Sequence, residues 1–386
     1  MELLKPKLLI LGTRGLPAAH GGFETFAERA ALYLVDRGWD VGVYCQDEVV
    51  AVERRVTVEM WRGIELIRVA VASRGPRATL EFDYHCAVDA ARREGVCLVL
   101  GYNGAVFLPL LRWRGRPIIT NMDGIEWRRP KWSMPVKAWF WVNEWIAAWA
   151  SHRLVADHPA IADHLATRRP RDAIVTIPYG GDPVADAPVA PLAALGVTPG
   201  RYMVSIARIE PDNNILTLVE AFSRQRRDAR LVVLGKLDVA IPYHAAVLSA
   251  AGDEVIFPGA IYDQDIVKAL RYHARAYLHG HTVGGTNPSL VEALAAGCAI
   301  IAHDNCFNRG TAGEMQHYFA DAEGCAAAIT ALFSDAAALA RSRAAARRQA
   351  AEFDWTRILE TYESEFSALA KVQASTAPGT VASASA

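Results

Sequence analysis

Short apolar segments alternate with stretches of helical period along most of this chain. In the first half the apolar segments lie at residues 8–12, 41–45, 65–71, 97–102, 117–122, 153–157 and 173–182. Segments of helical period lie between several of them, such as 23–37 and 135–151. Parallel strands need long crossover connections, which are usually helical. The alternation therefore predicts an α/β fold with a parallel sheet and helices on both of its faces.

The same alternation begins again after a segment rich in proline and alanine. Residues 183–199 read PVADAPVAPLAALGVTP, which is typical of an interdomain linker with a short helical turn. Further apolar segments follow at residues 202–208, 230–236, 254–260, 274–280 and 298–304. We therefore predict two doubly wound, Rossmann-like domains, residues 1–182 and 200–351, that face a central cleft where ligands bind. Residues 371–386 are small, polar and aperiodic, and we predict a disordered tail.

Composition excludes some classes of function. The chain has 386 residues, of which 52% are hydrophobic and 22% charged, and its formal net charge is −1. Nothing in this balance favours nucleic acid as a partner. No segment approaches the ~20 apolar residues of a transmembrane helix, and the N-terminus does not read as a secretory signal. Six cysteines without a C-x-x-C pair are typical of reduced thiols in a cytoplasmic protein.

A glycine-rich loop opens onto a short helix in the segment HGHTVGGTNPSLVEALAAG, residues 279–297. Gly284 and Gly285 allow backbone angles that other residues avoid. Asn287 is a favourable N-cap, Pro288 suits the first helical position, and Gly297 suits the residue after the helix. The N-terminus of a helix attracts anions, so we predict an anion site here.

Two other strand ends carry candidate ligand-binding residues. The loop GTRGLPAAHGG after the first strand lacks the dinucleotide fingerprint, and it either brings Gly21 and Gly22 near a ligand or is a plain strand-to-helix loop. Arg208 ends a core strand in the second half, where its planar fork suits a diphosphate, unless it simply pairs with Glu210. Glu292 lies one turn inside the anion-binding helix and either accepts ribose hydroxyls or is an ordinary solvated side chain.

Four motifs together resemble a known family. GGTNPSLVEALAAG, ARIEPDNNI, LGTRGLPAAHGGFETF and NMDGIEWRRPKWS resemble retaining glycosyltransferases of the GT-B fold, family 4, and within it bacterial polysaccharide rhamnosyltransferases. The resemblance covers about residues 7–370. It implies that the second domain binds a nucleotide-sugar donor and the first domain binds the acceptor. It also implies that a last helix, at about residues 352–370, returns to the first domain.

The resemblance assigns roles to individual residues. Donor binding is implied for Gly21, Gly22, Arg208, Asn213, Gly284, Gly285, Thr286, Asn287, Ser289, Leu290 and Glu292. The acceptor side is implied to include Glu24, Asp123 and Glu126, with Asp123 and Arg208 as catalytic residues. Two positions depart from the family pattern: Asn213 replaces a lysine, and Gly284 replaces the first glutamate of E-x7-E. We expect backbone amides of residues 284–287 to compensate.

The implied reaction transfers L-rhamnose from dTDP-rhamnose to a lipid-linked saccharide during bacterial cell-surface polysaccharide synthesis. A UDP- or GDP-sugar donor is an alternative, and a non-catalytic two-lobed sugar-binding protein is an alternative of another class. In the mechanism usually proposed for such enzymes, the leaving diphosphate deprotonates the acceptor hydroxyl. The protein then contributes orientation and charge stabilisation. No D-x-D motif or His/Cys cluster suggests a metal, so we expect no metal cofactor.

Aromatic and basic residues are interleaved after Asp123. A helix cannot bury Trp139, Phe140 and Trp141 on one face, because successive residues point about 100° apart. We predict a membrane-contacting patch at Arg128, Arg129, Lys131 and Trp132. This would make the protein peripheral on the cytoplasmic face of the plasma membrane, near a polyprenyl-diphosphate-linked acceptor. The alternative is that the tryptophans all pack in the core.

Overall fold

The computed structural model describes residues 6–18, 21–49 and 53–376, and these form two α/β domains. The first sheet has the order β3-β4-β2-β1-β5-β6-β7-β8, and its pairs are parallel except for the antiparallel pair of β3 with β4. Its strands are β1 Lys7–Leu11, β2 Asp40–Glu48, β3 Val56–Trp61, β4 Ile64–Val71, β5 Val96–Leu100, β6 Ile118–Asn121, β7 Arg153–Ala156 and β8 Ile174–Thr176. Its helices are α1 Gly22–Asp36, α2 Pro76–Ala90, α3 Leu108–Trp113, α4 Met134–Ala150 and α5 Pro159–Leu165.

The second sheet is parallel throughout, in the order β11-β10-β9-β12-β13-β14. Its strands are β9 Tyr202–Ile206, β10 Arg230–Leu234, β11 Val255–Gly259, β12 Ala276–His279, β13 Ala299–His303 and β14 His317–Phe319. The helices after β8 are α6 Ala190–Ala193, α7 Ile215–Ser223, α8 Pro242–Ser249, α9 Gln264–His273, α10 Pro288–Ala295, α11 Cys306–Ala312, α12 Ala322–Ser334, α13 Ala336–Ala350 and α14 Trp355–Thr376.

Each sheet is buried on both faces, which explains why its central strands are almost continuously apolar. Along β1, Leu8 and Ile10 pack in one cluster while Leu9 and Leu11 pack in another on the opposite face. In the second domain, Met203 belongs to a different cluster from its neighbour Tyr202. The predicted fold of two doubly wound parallel sheets is therefore confirmed.

Two strands of the structure were not predicted. Residues of β3 alternate as VTVEMW, and β3 joins β4 through Arg62 and Gly63, whose φ angles of 48° and 83° are those of a tight hairpin turn. The hairpin signal was therefore present in the sequence. The strand β14 has only three residues, which is too short for a periodic pattern.

The predicted linker and the last helix each pack against one of the two domains. Within residues 183–199, the side chains of Ala187, Leu192 and Val197 are buried in the core of the second domain. The last helix α14 packs on the first sheet, and Tyr362 in it accepts a hydrogen bond from the Asn121 side chain at 2.9 Å.

The predicted tail needs a correction. Residues 371–376 continue α14, because no glycine or proline interrupts the sequence before Pro378. The rest of that tail, 377–386, lies outside the described residues. All six cysteines are free, and all but Cys306 are buried.

In the described ranges, no single helix has the length and apolar composition needed to cross a bilayer. One bent pair, Ala322–Ser334 with Ala336–Phe353, meets these criteria by length and composition only, with a bend of 103° between the two parts.

Candidate active site between the two domains

A cleft lies between the carboxyl ends of the two sheets. It has a volume of about 430 Å³ and is lined by several of the predicted residues, namely Gly21, Gly22, Arg208, Ser289 and Glu292. Tyr179, Lys236 and Arg271 also line it, and the sequence analysis had not singled them out. A second cavity of about 590 Å³ continues from it past Tyr179 and Glu292. The cleft is therefore shared by both domains.

The N-terminus of α10 has the predicted cap. The Asn287 side chain accepts a hydrogen bond from the Ser289 N–H at 3.0 Å, and Pro288 occupies the first turn. Gly284 has a φ angle of 132°, which only glycine adopts readily. Within the described part of the chain, the amides of Gly284, Gly285 and Asn287 have no hydrogen-bond acceptor. Three unpaired amides beside a helix N-terminus are suited to an anion.

The side chains of Ser289 and Leu290 point into the second domain. The Ser289 hydroxyl lies 3.1 Å from the Ile206 carbonyl oxygen and 2.7 Å from the Tyr277 hydroxyl. Leu290 is fully buried in the core. The buried Leu290 side chain therefore stabilises α10 against the sheet, which corrects its prediction as a side chain that binds the donor. Ser289 also lines the cleft, so its donor role stays a prediction, although its amide is already taken by the cap.

Glu292 is held in the cleft by an ion pair. Its Oε2 lies 2.5 Å from Nη2 of Arg271, whose side chain is largely buried, while Glu292 itself remains about one-third exposed. Arg271 also donates to the Ser289 hydroxyl at 3.1 Å. Glu292 is thus a positioned carboxylate with one accessible side, rather than an ordinary solvated side chain.

Arg208 extends from the end of β9 into the open cleft. Its side chain is 70% exposed, and Nη1 lies 3.1 Å from Glu210 Oε1, as in the alternative interpretation of this residue. Asn213 is buried, and its amide donates to the Arg208 carbonyl at 2.8 Å. The prediction that Asn213 binds donor is corrected accordingly, because its side chain closes the turn that presents Arg208. Lys236, at the end of the neighbouring strand β10, supplies a second cation.

Asp123 adopts a left-handed backbone conformation, with a φ angle of 52°. Its N–H donates to the Asn121 side chain at 3.0 Å. Burial raises the pKa of the Asp123 carboxyl, while Arg129, the Gly124 amide and Arg208 act in the opposite direction.

Asp157, which belongs to none of the predicted site motifs, joins the two domains. Asp157 Oδ2 accepts the Thr286 N–H at 3.1 Å, and the Thr286 hydroxyl donates to the Asp157 carbonyl. A Cβ added at Gly285 would lie 1.9 Å from Asp157 Oδ1. That oxygen is buried and has no partner among the described residues. Burial and then Asp123 raise the pKa of Asp157 well above its usual range.

Asp157 could have been found from its place in the sequence. It directly follows the strand-like segment RLVA, and the carboxyl ends of all parallel strands meet at the ligand-binding edge.

Two histidines of the second domain, His279 and His281, form a stack shortly before the loop of residues 284–287. The rings of His279 and His281 are nearly parallel, with centroids 4.2 Å apart. Burial and then the cations Arg129 and Arg208 lower the pKa of His281 to about 3. These imidazoles are therefore neutral near pH 7 and add no positive charge to the cleft.

The first domain contributes close backbone contacts. A Cβ at Gly22 would lie 3.1 Å from the ring of Pro288, so α1 and α10 approach closely there. Gly21 has a φ angle of 106°. Glu24 accepts the Arg14 N–H at 3.2 Å and so helps to fix the loop after β1. Residues 19–20 of this loop lie outside the described part of the chain.

The predicted membrane patch is corrected. Arg129 pairs with Glu126 at 2.7 Å, and Lys131 reaches across the cleft to Glu210 at 3.2 Å. Trp132 packs against a hydrophobic core cluster of the first domain and donates its indole N–H to Glu126 at 3.2 Å. Of the four predicted residues, only Arg128 lies on the surface without an ion pair to a described residue. The other three instead form contacts within the protein, with Glu126 or Glu210.

Exposed aromatic residues lie on α4. Phe140 is buried, but Trp139 and Trp141 are 38% and 45% exposed, so the argument from helical period is confirmed. In the described ranges, no group of three or more His, Cys, Asp or Glu side chains is arranged to hold a metal ion.

Comparisons with known proteins agree with this architecture. Residues 5–182 match a domain of unknown function, DUF1972, and residues 196–352 match "Glycosyl transferases group 1". Sucrose-phosphate synthase from Thermosynechococcus elongatus has a similar structure, with a TM-score of 0.74, 17% identity and coverage of 95% of this chain and 100% of that one. The fold is GT-B.

Two further relatives are similar over different lengths. An α,α-trehalose-phosphate synthase from Burkholderia xenovorans has a TM-score of 0.71 at 12% identity, covering 94% of this chain and 100% of its own. Phosphatidyl-myo-inositol mannosyltransferase of Mycolicibacterium smegmatis is 30% identical over 247 residues. That alignment covers 58% of this chain and 61% of the relative.

Gly285→Ala tests the contact between the domains. Its added methyl overlaps Asp157, so we expect a loss of about 1–3 kcal/mol in the free energy of unfolding measured with urea. Asp157→Ala in the same chain removes the overlap and should restore part of that loss. Gly252→Ala is the control, because its Cβ meets its nearest atom at 3.5 Å. Equal effects at Gly285 and Gly252 would contradict the assignment.

Proposed function

We propose that this protein is a retaining glycosyltransferase that uses a nucleotide-sugar donor. One arrangement carries the proposal: the unpaired amides of Gly284, Gly285 and Asn287 lead into the N-terminus of α10, and the first turn of α10 lines the same cleft as the exposed side chain of Arg208. A diphosphate needs concentrated donors and positive charge of this kind. The match of residues 196–352 to glycosyl transferases group 1 supports the same reaction class.

The donor we propose is dTDP-rhamnose, and the acceptor is a polyprenyl-diphosphate-linked saccharide. The donor rests on the resemblance of the four sequence motifs to bacterial polysaccharide rhamnosyltransferases. A UDP-sugar is the second candidate, because one structural neighbour is described as UDP-forming. A lipid acceptor is supported by the name of the mannosyltransferase relative, which contains phosphatidyl-myo-inositol.

In the proposed mechanism, the protein's residues hold and neutralise the leaving group. Arg208 and Lys236 pair with the diphosphate, and the amides of Gly284, Gly285 and Asn287 donate to its oxygens. Glu292, fixed by Arg271, accepts hydroxyls of the donor ribose. Asp123 and Asp157 face the transferred sugar and the acceptor hydroxyl from the first domain. The leaving diphosphate takes the proton of the acceptor hydroxyl, so no protein nucleophile is required. A metal is not needed, since cations and a helix end supply the charge.

A donor panel tests the function. Purified protein is incubated with dTDP-rhamnose, UDP-glucose or GDP-mannose and polyprenyl-diphosphate-linked saccharides extracted from bacterial membranes. We expect a product heavier by one deoxyhexose with dTDP-rhamnose, both with and without EDTA. A product formed only from another donor would show that this donor, and not dTDP-rhamnose, is the substrate. Free-sugar binding without any product would favour the non-catalytic sugar-binding alternative.

Arg208 tests the leaving-group assignment. We expect Arg208→Ala to lower kcat about 100-fold, with a smaller change in donor Kd, because its charge acts mainly on the developing diphosphate. Arg208→Lys should recover only part of the rate, since an ammonium lacks the planar fork. The control is Arg226→Ala, whose side chain is exposed and remote from the cleft lining. Near-normal turnover of Arg208→Ala would show that Arg208 does not stabilise the leaving group and would leave that role to Lys236 and the helix N-terminus.

We also propose that the exposed face of α4 contacts an anionic bilayer, which replaces the patch predicted at residues 128–132. Met134, Trp141 and Trp149 are exposed on this face, and the half-buried Trp145 lies between the two tryptophans at helical spacing. Arg169 stacks on the Trp149 ring at 5.7 Å, so a cation adjoins the aromatic stripe. Tryptophan and arginine together suit the headgroup region of a membrane. The protein would then be peripheral on the cytoplasmic face.

Vesicle binding tests this face. We expect Trp141→Ser combined with Trp149→Ser to lower the partitioning onto phosphatidylglycerol vesicles about tenfold or more. Met60→Ser is the matched control, because Met60 is 66% exposed on β3, away from α4. Equal partitioning of both variants would rule out α4 as the contact.

A further inference from the structure

Asp83 on α2 is a carboxylate without a partner. The other two acidic residues of this helix are satisfied: Glu81 pairs with Arg55, and Asp89 accepts from Tyr44 at 2.9 Å and pairs with Arg93. By contrast, Asp83 has no hydrogen bond or ion pair with any described residue. Burial alone raises the pKa of Asp83 to about 7. Asp83 is half-buried, and a carboxyl shielded from water without a partner costs stability until a ligand satisfies it.

The carboxyl of Asp83 lines a small cavity in the first domain. The cavity has a volume of about 70 Å³ and is bounded by Thr79 on α2, Gly12 after β1, and Gly101 and Asn103 after β5. A Cβ at Gly104 would lie 2.3 Å from Asp83 Oδ2, so a side chain there would displace the carboxyl.

This cavity belongs to the ligand-binding edge of the first sheet. It lies at the carboxyl ends of β1 and β5, which is where open α/β sheets bind ligands. A Cβ at Gly101 would lie 3.5 Å from the Phe23 ring, and the residue before Phe23 is Gly22, which lines the cleft. The cavity therefore lies close to the cleft, on the side of the first domain.

The segment that forms the cavity is tied to the loop of Asp123. The Tyr102 hydroxyl donates to the Gly124 carbonyl at 3.1 Å and accepts the Glu126 N–H at 2.8 Å. These bonds fix residues 101–104 relative to residues 123–126. A molecule held beside Asp83 would thus have a defined position relative to Asp123.

The rim of the cavity is aromatic. Phe107 lines it, and the Tyr84 ring, which is 47% exposed, lies 5.5 Å from Phe107 in an edge-on arrangement. A carboxylate accepts hydrogen bonds from hydroxyls, and aromatic rings pack against the C–H groups of a sugar. A carboxyl at the base and aromatic rings at the rim suit a saccharide better than an anion or a purely apolar ligand.

We propose that Asp83, Asn103 and the rings of Tyr84 and Phe107 form a subsite for the acceptor saccharide, which rests on the proposed glycosyltransferase function. A cavity of 70 Å³ holds about two water-sized groups, so it takes one hydroxyl or hydroxymethyl substituent rather than a whole ring. The sugar ring packs on Tyr84 and Phe107 and presents its acceptor hydroxyl towards Asp123. Asp83 is therefore a specificity-determining residue that selects which substituents the acceptor carries.

Kinetics of Asp83→Asn test this subsite with the extracted polyprenyl-diphosphate-linked saccharides as acceptor. We expect the acceptor KM to rise about tenfold or more, with the KM for the nucleotide sugar unchanged. Asp36→Asn, an exposed change on α1, is the matched control and should alter neither constant. Tyr84→Ala should also raise the acceptor KM, because it removes one face of the rim.

Thermal stability separates a binding role from a structural one. The folded pKa of Asp83 lies above the unfolded value of about 3.9, so its ionisation opposes folding as pH rises from 4 to 7. We expect Asp83→Asn to have a Tm equal to or above that of the wild type at pH 8. This advantage should disappear near pH 4.

The two proposals fail in different ways. A wild type that transfers no sugar overturns the proposed function, and the subsite with it. A wild type that transfers sugar, with an unchanged acceptor KM in Asp83→Asn, overturns the subsite alone. A raised acceptor KM accompanied by a lower Tm at pH 8 also overturns it, because Asp83 would then be a structural residue.

Discussion

The contact of Asp157 with Gly285 and Thr286 sets the geometry of the whole cleft. A carboxylate of the first domain accepts a backbone N–H from the loop that leads into α10, at a position where only glycine leaves room for it. The anion-binding loop of one domain is therefore positioned by the other. Neither sheet alone can form the site, because the donor amides and the carboxylates that face them come from different domains.

Two ion pairs in the cleft differ in strength. Arg271 and Glu292 form an ion pair with a largely buried arginine, which fixes Glu292 in the cleft. The pair of Arg208 with Glu210 is exposed on the arginine side, and exposed pairs contribute only about 0–1 kcal/mol. An incoming diphosphate can therefore replace Glu210 as the partner of Arg208 at a small cost in free energy. Glu210 keeps Lys131 as a second partner, so it is not left uncompensated.

Local signals explain what could be predicted from the sequence. The alternating strands, the Asn287 cap and the Gly284 turn follow from neighbouring residues, and the structure has them where the sequence analysis placed them. Side-chain directions that depend on partners far away in the sequence could not be predicted from neighbouring residues. Ser289 points inward because Ile206 and Tyr277 meet it there, and Lys131 is taken by a carboxylate 79 positions later in the chain. No local sequence pattern identifies such partners. The contact of Asp157 with residues 285–286 likewise has no local signal.

The proposed membrane face and acceptor subsite are joined through α4. The indole of Trp139 donates to the Asn103 carbonyl at 3.2 Å, so the helix that carries the exposed tryptophans also supports the segment that lines the Asp83 cavity. A lipid-linked saccharide has its sugar a short distance from the bilayer surface. A protein resting on α4 would therefore hold its acceptor subsite at a fixed height above the headgroups. That arrangement would favour acceptors with a short saccharide. With its lipid in the membrane, a long saccharide would extend past Asp123.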